Sequence, residues 1–297
     1  AWAQYRHGLP LSGFSIWSSV AQLTGLSSPG GVPELMNGDR YLPGEFAVPH
    51  QLFSSDGVIL PAVRGVLGFE TRGPSSGPDQ LLQLSFAPNL PADWPFLRFQ
   101  RYAIGDGQLS GEILQQPSQT TLQVTYAGKT PVLLSLSPSL PAAARVKSVL
   151  LDGKPAKYSV REFGGFLRVE VAPVTLGSSQ QLTLVVNYDG GIGLVPPAPQ
   201  PQPGERTSSL KILDVQSNQS NPPSSQNSKC LVRLTVAGLA GRTYPLQLVT
   251  TLPNLHAGSL RLEKTQSGYI LQIPFESSNP FNSSSSSDVS REICLSN

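Results

Sequence analysis

The sequence predicts a mostly β protein of the α+β class, with its helices confined to the beginning of the chain. Helical spacing of apolar residues occurs only in residues 1–70, whereas alternation of apolar and polar residues dominates after residue 78. Glycine and proline, with 28 residues each, make up about a fifth of the 297 residues. This turn-forming content favours many short strands and excludes a coiled coil, a collagen-like repeat or a helix bundle over most of the length.

The pattern of residues 1–76 predicts helices on either side of a long loop. A first helical stripe ends near Gly25, and a second covers 49–67. Between them, residues 27–48 are rich in glycine and proline, so a helix cannot persist there. Loops of about 20 residues inside compact domains are usually functional or disordered. The loop is therefore the first place to look for chemistry.

Segment 77–192 has the pattern of an antiparallel β-sandwich. Its alternating runs are rich in β-branched and aromatic residues, and Asp152-Gly153 is a strong hairpin signal. Strands are predicted over 80–86, 97–102, 121–126, 132–136, 146–151, 158–160, 166–171 and 182–186. Turn signals recur roughly every 8–15 residues, which is the spacing of a sandwich.

A proline-rich linker and a second β domain complete the predicted organisation. Alternating prolines over 193–205 indicate a semi-rigid extended spacer. A smaller β-sandwich-like domain is expected over 206–297, with strands near 210–215, 230–236, 243–249, 259–263 and 269–273. Its two inserts, 216–229 and 277–287, are rich in Ser, Asn and Gln, and we expect them to be poorly ordered.

Both cysteines of the chain, Cys230 and Cys294, fall in this last domain within predicted strands. One interpretation is a disulfide that ties the final strand to a central one, which would indicate an oxidising compartment. The other is a pair of small buried hydrophobic residues that never meet. No histidine has zinc-like spacing to either cysteine, and no metal or cofactor is predicted.

Several function classes are disfavoured by the sequence. The net charge is only +2 and there is no long basic run, so nucleic acid is not an expected partner. No apolar run approaches the length of about 18 residues that a membrane span needs. A P-loop, a dinucleotide-binding glycine motif, a zinc-protease motif and a complete nucleophile elbow are all missing from the sequence.

The carboxylates of the long loop are what remains for catalysis. Glu34 follows Pro33 in a loop flanked by glycines, so it could be a carboxylate held towards a cleft. Glycosidases use two such groups, an acid that protonates the leaving oxygen and a base or nucleophile. The alternative is that Glu34 is a solvated or helix-capping residue, since most glutamates are exposed.

Two stretches of the sequence resemble one family. The run Pro33-Glu34-Leu35-Met36-Asn37-Gly38, followed by VPHQLFSS at 48–55, resembles the C-terminal end of the catalytic barrel in bacterial glycogen-debranching, amylo-α-1,6-glucosidase-like proteins. These belong to the (α/α)6-barrel glycosidases that include glucoamylases. Segment 84–95, with its pattern apolar-Pro-x-Leu-Pro-x-x-Trp, resembles the start of the β-sandwich that follows the barrel. The resemblance covers about residues 1–190.

The resemblance implies an inverting glycoside hydrolase that acts on α-glucans. Segment 1–76 would then be the last helices of the barrel, and Glu34 would be the general base. Asp39, Tyr41, His50 and Gln51 would line the same cleft and bind sugar hydroxyls, although His50 could equally hold the loop at the start of a helix.

The same resemblance implies that the rest of the barrel, with the general acid, lies upstream in the same polypeptide. The only methionine is Met36, so we expect a C-terminal fragment that is inactive alone. The competing hypothesis is an accessory β module with a structural or carbohydrate-binding role. The sparse charge, the polar inserts and the cysteine pair favour a periplasmic or extracellular protein over a cytoplasmic one.

Overall fold

The computed structural model describes most of the chain, and its element order begins with helices. The described residues are 1–25, 31–33, 40–44, 48, 51–74, 81–198, 202–205, 208–217, 230–276 and 288–297. Three α-helices come first: α1 Trp2–Arg6, α2 Pro10–Gln22 and α3 Leu52–Leu60. A 3-10 turn, Leu23–Gly25, ends α2, and a π-helical segment, Pro61–Val66, extends α3.

Local chemistry explains where these helices begin and change type. Pro10 occupies the first position of α2, where its missing N–H costs nothing. Pro61 has no backbone N–H, so it cannot donate a hydrogen bond to the last turn of α3. The chain continues with the wider turns of a π-helix, in which the Leu67 N–H donates to the Ala62 carbonyl at 3.0 Å. Gly68 then takes a left-handed φ of +65° and ends the helix.

The first β domain contains thirteen strands among the described residues. They are β1 Phe69–Arg72, β2 Leu82–Phe86, β3 Phe96–Ile104, β4 Gly107–Gln116, β5 Gln119–Ala127, β6 Val132–Leu136, β7 Ser139–Pro141, β8 Arg145–Leu151, β9 Lys154–Pro155, β10 Tyr158–Phe163, β11 Phe166–Val171, β12 Val174–Leu176 and β13 Gln180–Asp189. They form sheets of order β1-β2-β6-β12, β3-β4-β5-β13-β8-β9 and β10-β11-β7. Pairing is antiparallel except between β2 and β6, where Leu84 lies opposite Leu134.

One hydrophobic core joins these sheets to the helices. Alternate residues of β5 and β13, such as Leu122 and Leu184, are buried and meet Leu84 and Phe86 from the first sheet. Tyr5, Phe14 and Val66 of the helical segment belong to the same cluster. The helices are therefore packed on the sandwich as part of its core.

The second β domain is smaller and has its own core. Its strands are β14 Gly193–Leu194, β15 Lys211–Ser217, β16 Val232–Leu239, β17 Thr243–Val249, β18 Leu262–Lys264, β19 Gly268–Pro274 and β20 Asp288–Leu295. They form two sheets, β14-β17-β19-β18 and β15-β16-β20. Leu11 and Phe166 of the preceding part join this second core, so the two β domains are in direct apolar contact.

The cysteines are bonded to one another in this domain. A disulfide joins Cys230 to Cys294, with 5.4 Å between their Cα atoms. Cys294 lies in β20 on its exposed side, and Cys230 is half-buried just before β16 begins at Val232. The expectation of two buried, unpaired thiols is therefore wrong, and so is the placement of Cys230 inside a strand.

The mostly β, α+β class is confirmed, and several boundaries differ from the prediction. β4 is a ten-residue strand that was not predicted, because Gly107 and Gly111 interrupt its alternation. A Cβ at Gly111 would lie 2.8 Å from the Phe99 ring, so the glycine permits a close approach. Within the segments expected to be linker and insert, Gly193–Leu194 forms β14 and β15 extends to Ser217.

Candidate functional site

Of the predicted sugar-site residues, Tyr41 and Gln51 fall in the described part of the chain. Glu34, Asp39 and His50 lie outside the described residues. The Tyr41 N–H donates to the Glu205 carbonyl at 2.8 Å, and the Tyr41 carbonyl accepts from the Gly204 N–H at 3.1 Å. The long loop is thus attached to the proline-rich segment at Tyr41.

Gln51 sits at the N-terminus of α3 and fixes the other end of the loop. Its carbonyl accepts the N–H groups of Ser54 and Ser55 at 3.1 and 3.2 Å, as an N-cap residue does. Its own N–H donates to the Val32 carbonyl at 3.1 Å. Residues 31–33 are buried, so the backbone that leads into Glu34 is held against the start of α3.

Residues 88–94 form the joint between the helices and the sandwich. Asn89 is buried, and its Nδ2 donates to the carbonyls of Gly65 and Ala87 at 2.8 and 3.2 Å. Its Oδ1 accepts a hydrogen bond from Nη2 of the buried Arg168 in β11. One amide therefore ties together the π-helical segment, the start of the sandwich and a third strand.

Aromatic rings make the apolar half of this joint. The Trp94 ring meets Phe14 of α2 edge-on, with 5.4 Å between ring centroids, and Phe14 meets Trp17 in the same way. The Trp17 Nε1–H donates to the Val58 carbonyl at 2.8 Å and so couples α2 to α3. Trp17 and Trp94 thus have packing roles.

A polar cavity of about 310 Å³ opens beside this joint, and we call it the junction pocket. Four arginines line it together with a single carboxylate, Glu70. The arginines are Arg6, Arg64, Arg72 and Arg168. Arg6 pairs with Glu70 at 3.1 Å, and among the described residues the other three form no salt bridge.

Arg168 is the most unusual group in the junction pocket. It is only 7% exposed, and its guanidinium carbon lies 4.0 Å from the centroid of the Phe163 ring. Burial, and to a smaller extent the nearby Arg161, lower the pKa of Arg168 to about 10, and Glu170 acts in the opposite direction. The guanidinium remains charged at neutral pH, and its Nε–H has no hydrogen-bond partner within the described structure.

Tyr5 lines the same pocket and is held by two glycines. A Cβ at Gly13 would come within 2.8 Å of the Tyr5 ring, and one at Gly65 would come closer still. Burial raises the pKa of the Tyr5 phenol well above its ordinary value, so its O–H stays protonated. That O–H has no hydrogen-bond partner among the described residues.

A larger cleft of about 530 Å³ lies between the two β domains. Neutral polar side chains line it with Asp93, and burial raises the pKa of this carboxyl. Its aromatic residues, Phe166 and Tyr188, are buried, so neither presents a free ring face. The cleft thus lacks the stacking platform typical of sugar-binding grooves.

Comparison of the chain with models of protein families and with curated proteins found no match. Within the described part of the chain, no three His, Cys, Asp or Glu side chains are grouped to hold a metal ion. Nor is any described helix long and apolar enough to cross a membrane.

Sequence reasoning did not single out Tyr5, Asn89 or Arg168. The sequence around Arg168 could have indicated its role, because Arg168 lies between Leu167 and Val169 in a strand that is buried on both faces. A charge in such a strand needs a specific partner.

Proposed function

We propose that the chain is the C-terminal part of an inverting glycoside hydrolase that acts on α-glucans. In this proposal the helices are the last ones of an (α/α)6 barrel, the upstream helices belong to the same polypeptide, and Glu34 is the general base. No cofactor takes part, because proton transfer by two carboxyl groups suffices.

The observation that carries the proposal is a pair of large apolar side chains exposed on α3. Leu52 and Ile59 are 75% and 61% exposed, and residues seven apart lie on one face of a helix. None of the described side chains of α3 is fully buried. Large apolar side chains exposed on one helix face, here on either side of Asp56, are typical of a surface that a further helix covers.

The inner side of the same helices supports the proposal from another direction. Phe14 and Trp94 pack the helices onto the sandwich, and Asn89 hydrogen-bonds both parts. A catalytic helical domain fused to a sandwich through one core is the arrangement that the sequence resemblance implies. The residues that make this joint are those of the motif at 88–94.

Glu34 is proposed as the base because of how the chain leads into it. A general base must be held at a fixed distance from the water it deprotonates. The buried stretch 31–33 and the bond between Val32 and Gln51 supply such an anchor two residues away. Asp39, Tyr41, His50 and Gln51 are proposed to bind sugar hydroxyls around it.

The mechanism that follows is a single displacement. Glu34 removes a proton from water as the water attacks the anomeric carbon, and an acid on an upstream loop protonates the leaving oxygen. Inverting enzymes hold these carboxyl groups about 6.5–9.5 Å apart to admit the water.

The test is hydrolysis of maltotetraose and of a branched dextrin by the full-length polypeptide. We expect Glu34→Gln to lower the rate by at least about a hundredfold, because general-base catalysis contributes about 10²–10⁴-fold. Glu276→Gln is the matched control, since Glu276 is an exposed acid of the second β domain, and it should leave the rate unchanged. Undiminished turnover by Glu34→Gln would refute the assignment.

The competing function is a binding module without catalysis. Its sign would be retention of the 297-residue chain on glycogen beads, combined with a full-length polypeptide that hydrolyses no α-glucan. The buried rings of Phe166 and Tyr188 in the interdomain cleft speak against it.

A further inference from the structure

We propose that the junction pocket binds a phosphate-type oxyanion, either free phosphate or the phosphate group of a small phosphomonoester. The pocket lies at the joint between the helices and the sandwich, outside the loop that carries Glu34. The inference therefore stands independently of the proposed hydrolase function.

Charge is the first argument for an anion. Four guanidinium groups share the pocket with one carboxylate, and that carboxylate is engaged by Arg6. Arg64 and Arg72 are exposed at its rim and form no salt bridge in the described structure, while Arg168 lies at its buried end. Like charges gathered without counter-charges repel one another, and a bound dianion would remove that repulsion.

Unused hydrogen-bond donors are the second argument. Nε–H of Arg168 and O–H of Tyr5 are both buried and both lack a partner among the described residues. Buried donors are satisfied in the great majority of native proteins, because an unmade bond is costly. Both residues line the junction pocket, so we place the missing acceptor there.

The shape and chemistry of the pocket select the class of anion. Guanidinium groups bind the oxygens of phosphate in a bidentate, planar way. The Trp2 ring lies about 5.5 Å from Arg64 and the Phe163 ring lies 4.0 Å from Arg168, which orients both guanidinium planes. An excess of three positive charges suits a dianion better than a single carboxylate. A volume of 310 Å³ is enough for a small organic group beside the phosphate.

The test is calorimetric titration of the 297-residue chain with sodium phosphate and with glucose 6-phosphate at low ionic strength. Glucose is the uncharged control and should not bind in the pocket. We expect binding of at least one phosphate ligand, weakened by added sodium chloride because charge drives it. Tighter binding of glucose 6-phosphate would identify a phosphomonoester site, and tighter binding of phosphate would identify a site for the free ion.

Variants locate the binding. Arg64→Gln combined with Arg72→Gln should weaken it at least about tenfold, since charged hydrogen bonds contribute about that much each. Both side chains are exposed, so this variant should fold. Arg145→Gln, at an exposed arginine outside the pocket, is the control and should bind as the parent does.

Tyr5→Phe separates binding from packing, because it removes the O–H and keeps the ring between Gly13 and Gly65. We expect weaker phosphate binding with a urea midpoint of the free protein that is raised or unchanged, because the O–H that is removed has no partner among the described residues. The proposal is overturned if neither phosphate ligand binds, or if the double arginine variant binds as tightly as the Arg145→Gln control.

Discussion

Replacing Asn89 by alanine tests whether the joint between helices and sandwich is held as the structure indicates. The substitution removes two donated bonds, to the carbonyls of Gly65 and Ala87, and the acceptor of the Arg168 guanidinium. Asn89 is only 6% exposed, so these groups are largely shielded from water in the folded protein.

The expected loss in free energy of unfolding follows from the kinds of hydrogen bond that Asn89→Ala removes. Two neutral hydrogen bonds contribute about 1 kcal/mol each, and a bond to a buried charge contributes about 1.5–3 kcal/mol. The predicted loss in free energy of unfolding is therefore about 3–5 kcal/mol. Much of it arises from leaving Arg168 charged, buried and without its acceptor.

Urea unfolding followed by tryptophan fluorescence is the assay. All three tryptophans lie in the helical segment or at the joint, at Trp2, Trp17 and Trp94, so the signal reports on this region. Asn187→Ala is the matched control, since among the described residues the Asn187 side chain hydrogen-bonds to the half-buried side chains of Gln119 and Ser148 and to no charged group. It should lose about 2 kcal/mol or less, because two neutral hydrogen bonds and no bond to a charge are removed.

A double-mutant cycle isolates the central contact. Arg168→Met removes the buried charge, so in that background Asn89→Ala should cost at least about 1 kcal/mol less than in the parent. Equal losses for Asn89→Ala and Asn187→Ala, or a cycle with no coupling, would refute the role given to Asn89.

Three further outcomes follow from the structure. Replacing Cys230 and Cys294 by serine should lower the stability of the second β domain by about 4 kcal/mol, because the disulfide closes a loop over a sequence separation of 64. Guanidine unfolding with and without reductant measures this loss. Gly65→Ala should cost about 1–3 kcal/mol in the same unfolding assay, since its Cβ would meet the Tyr5 ring. Burial raises the folded-state pKa of Asp93, so the contribution of this carboxyl to stability should fall as pH rises from the ordinary value of 3.8 through the folded pKa. Asp93→Asn should abolish that fall. A pH profile that Asp93→Asn leaves unchanged would contradict the burial of this carboxyl.

Much of the strand content could be predicted from the sequence, because half-buried strands alternate visibly. β6 and β11 have the predicted bounds, Val132–Leu136 and Phe166–Val171. β1 could not be predicted, since Phe69–Arg72 has one apolar residue and becomes a strand by pairing with β2. Tertiary pairing overrides local pattern in such short segments.

The junction pocket lay beyond the reach of sequence reasoning for a similar reason. Its residues come from α1, the π-helical segment, β1, β2 and the stretch after it, β10 and β11, and no spacing in the chain relates them. Only the packing of helices on the sandwich brings Arg64 near Arg168. The Pro-x-Leu-Pro-x-x-Trp motif gave no sign that Asn89 would bond a buried arginine.

The most direct measurement for the central claim follows the anomer released by the full-length polypeptide from maltotetraose, by proton NMR. We predict that the parent and Glu276→Gln release β-glucose first, because water activated by Glu34 attacks the face opposite the leaving group. Glu34→Gln should release at least about a hundredfold less. Initial release of α-glucose, or unchanged release by Glu34→Gln, would contradict the account.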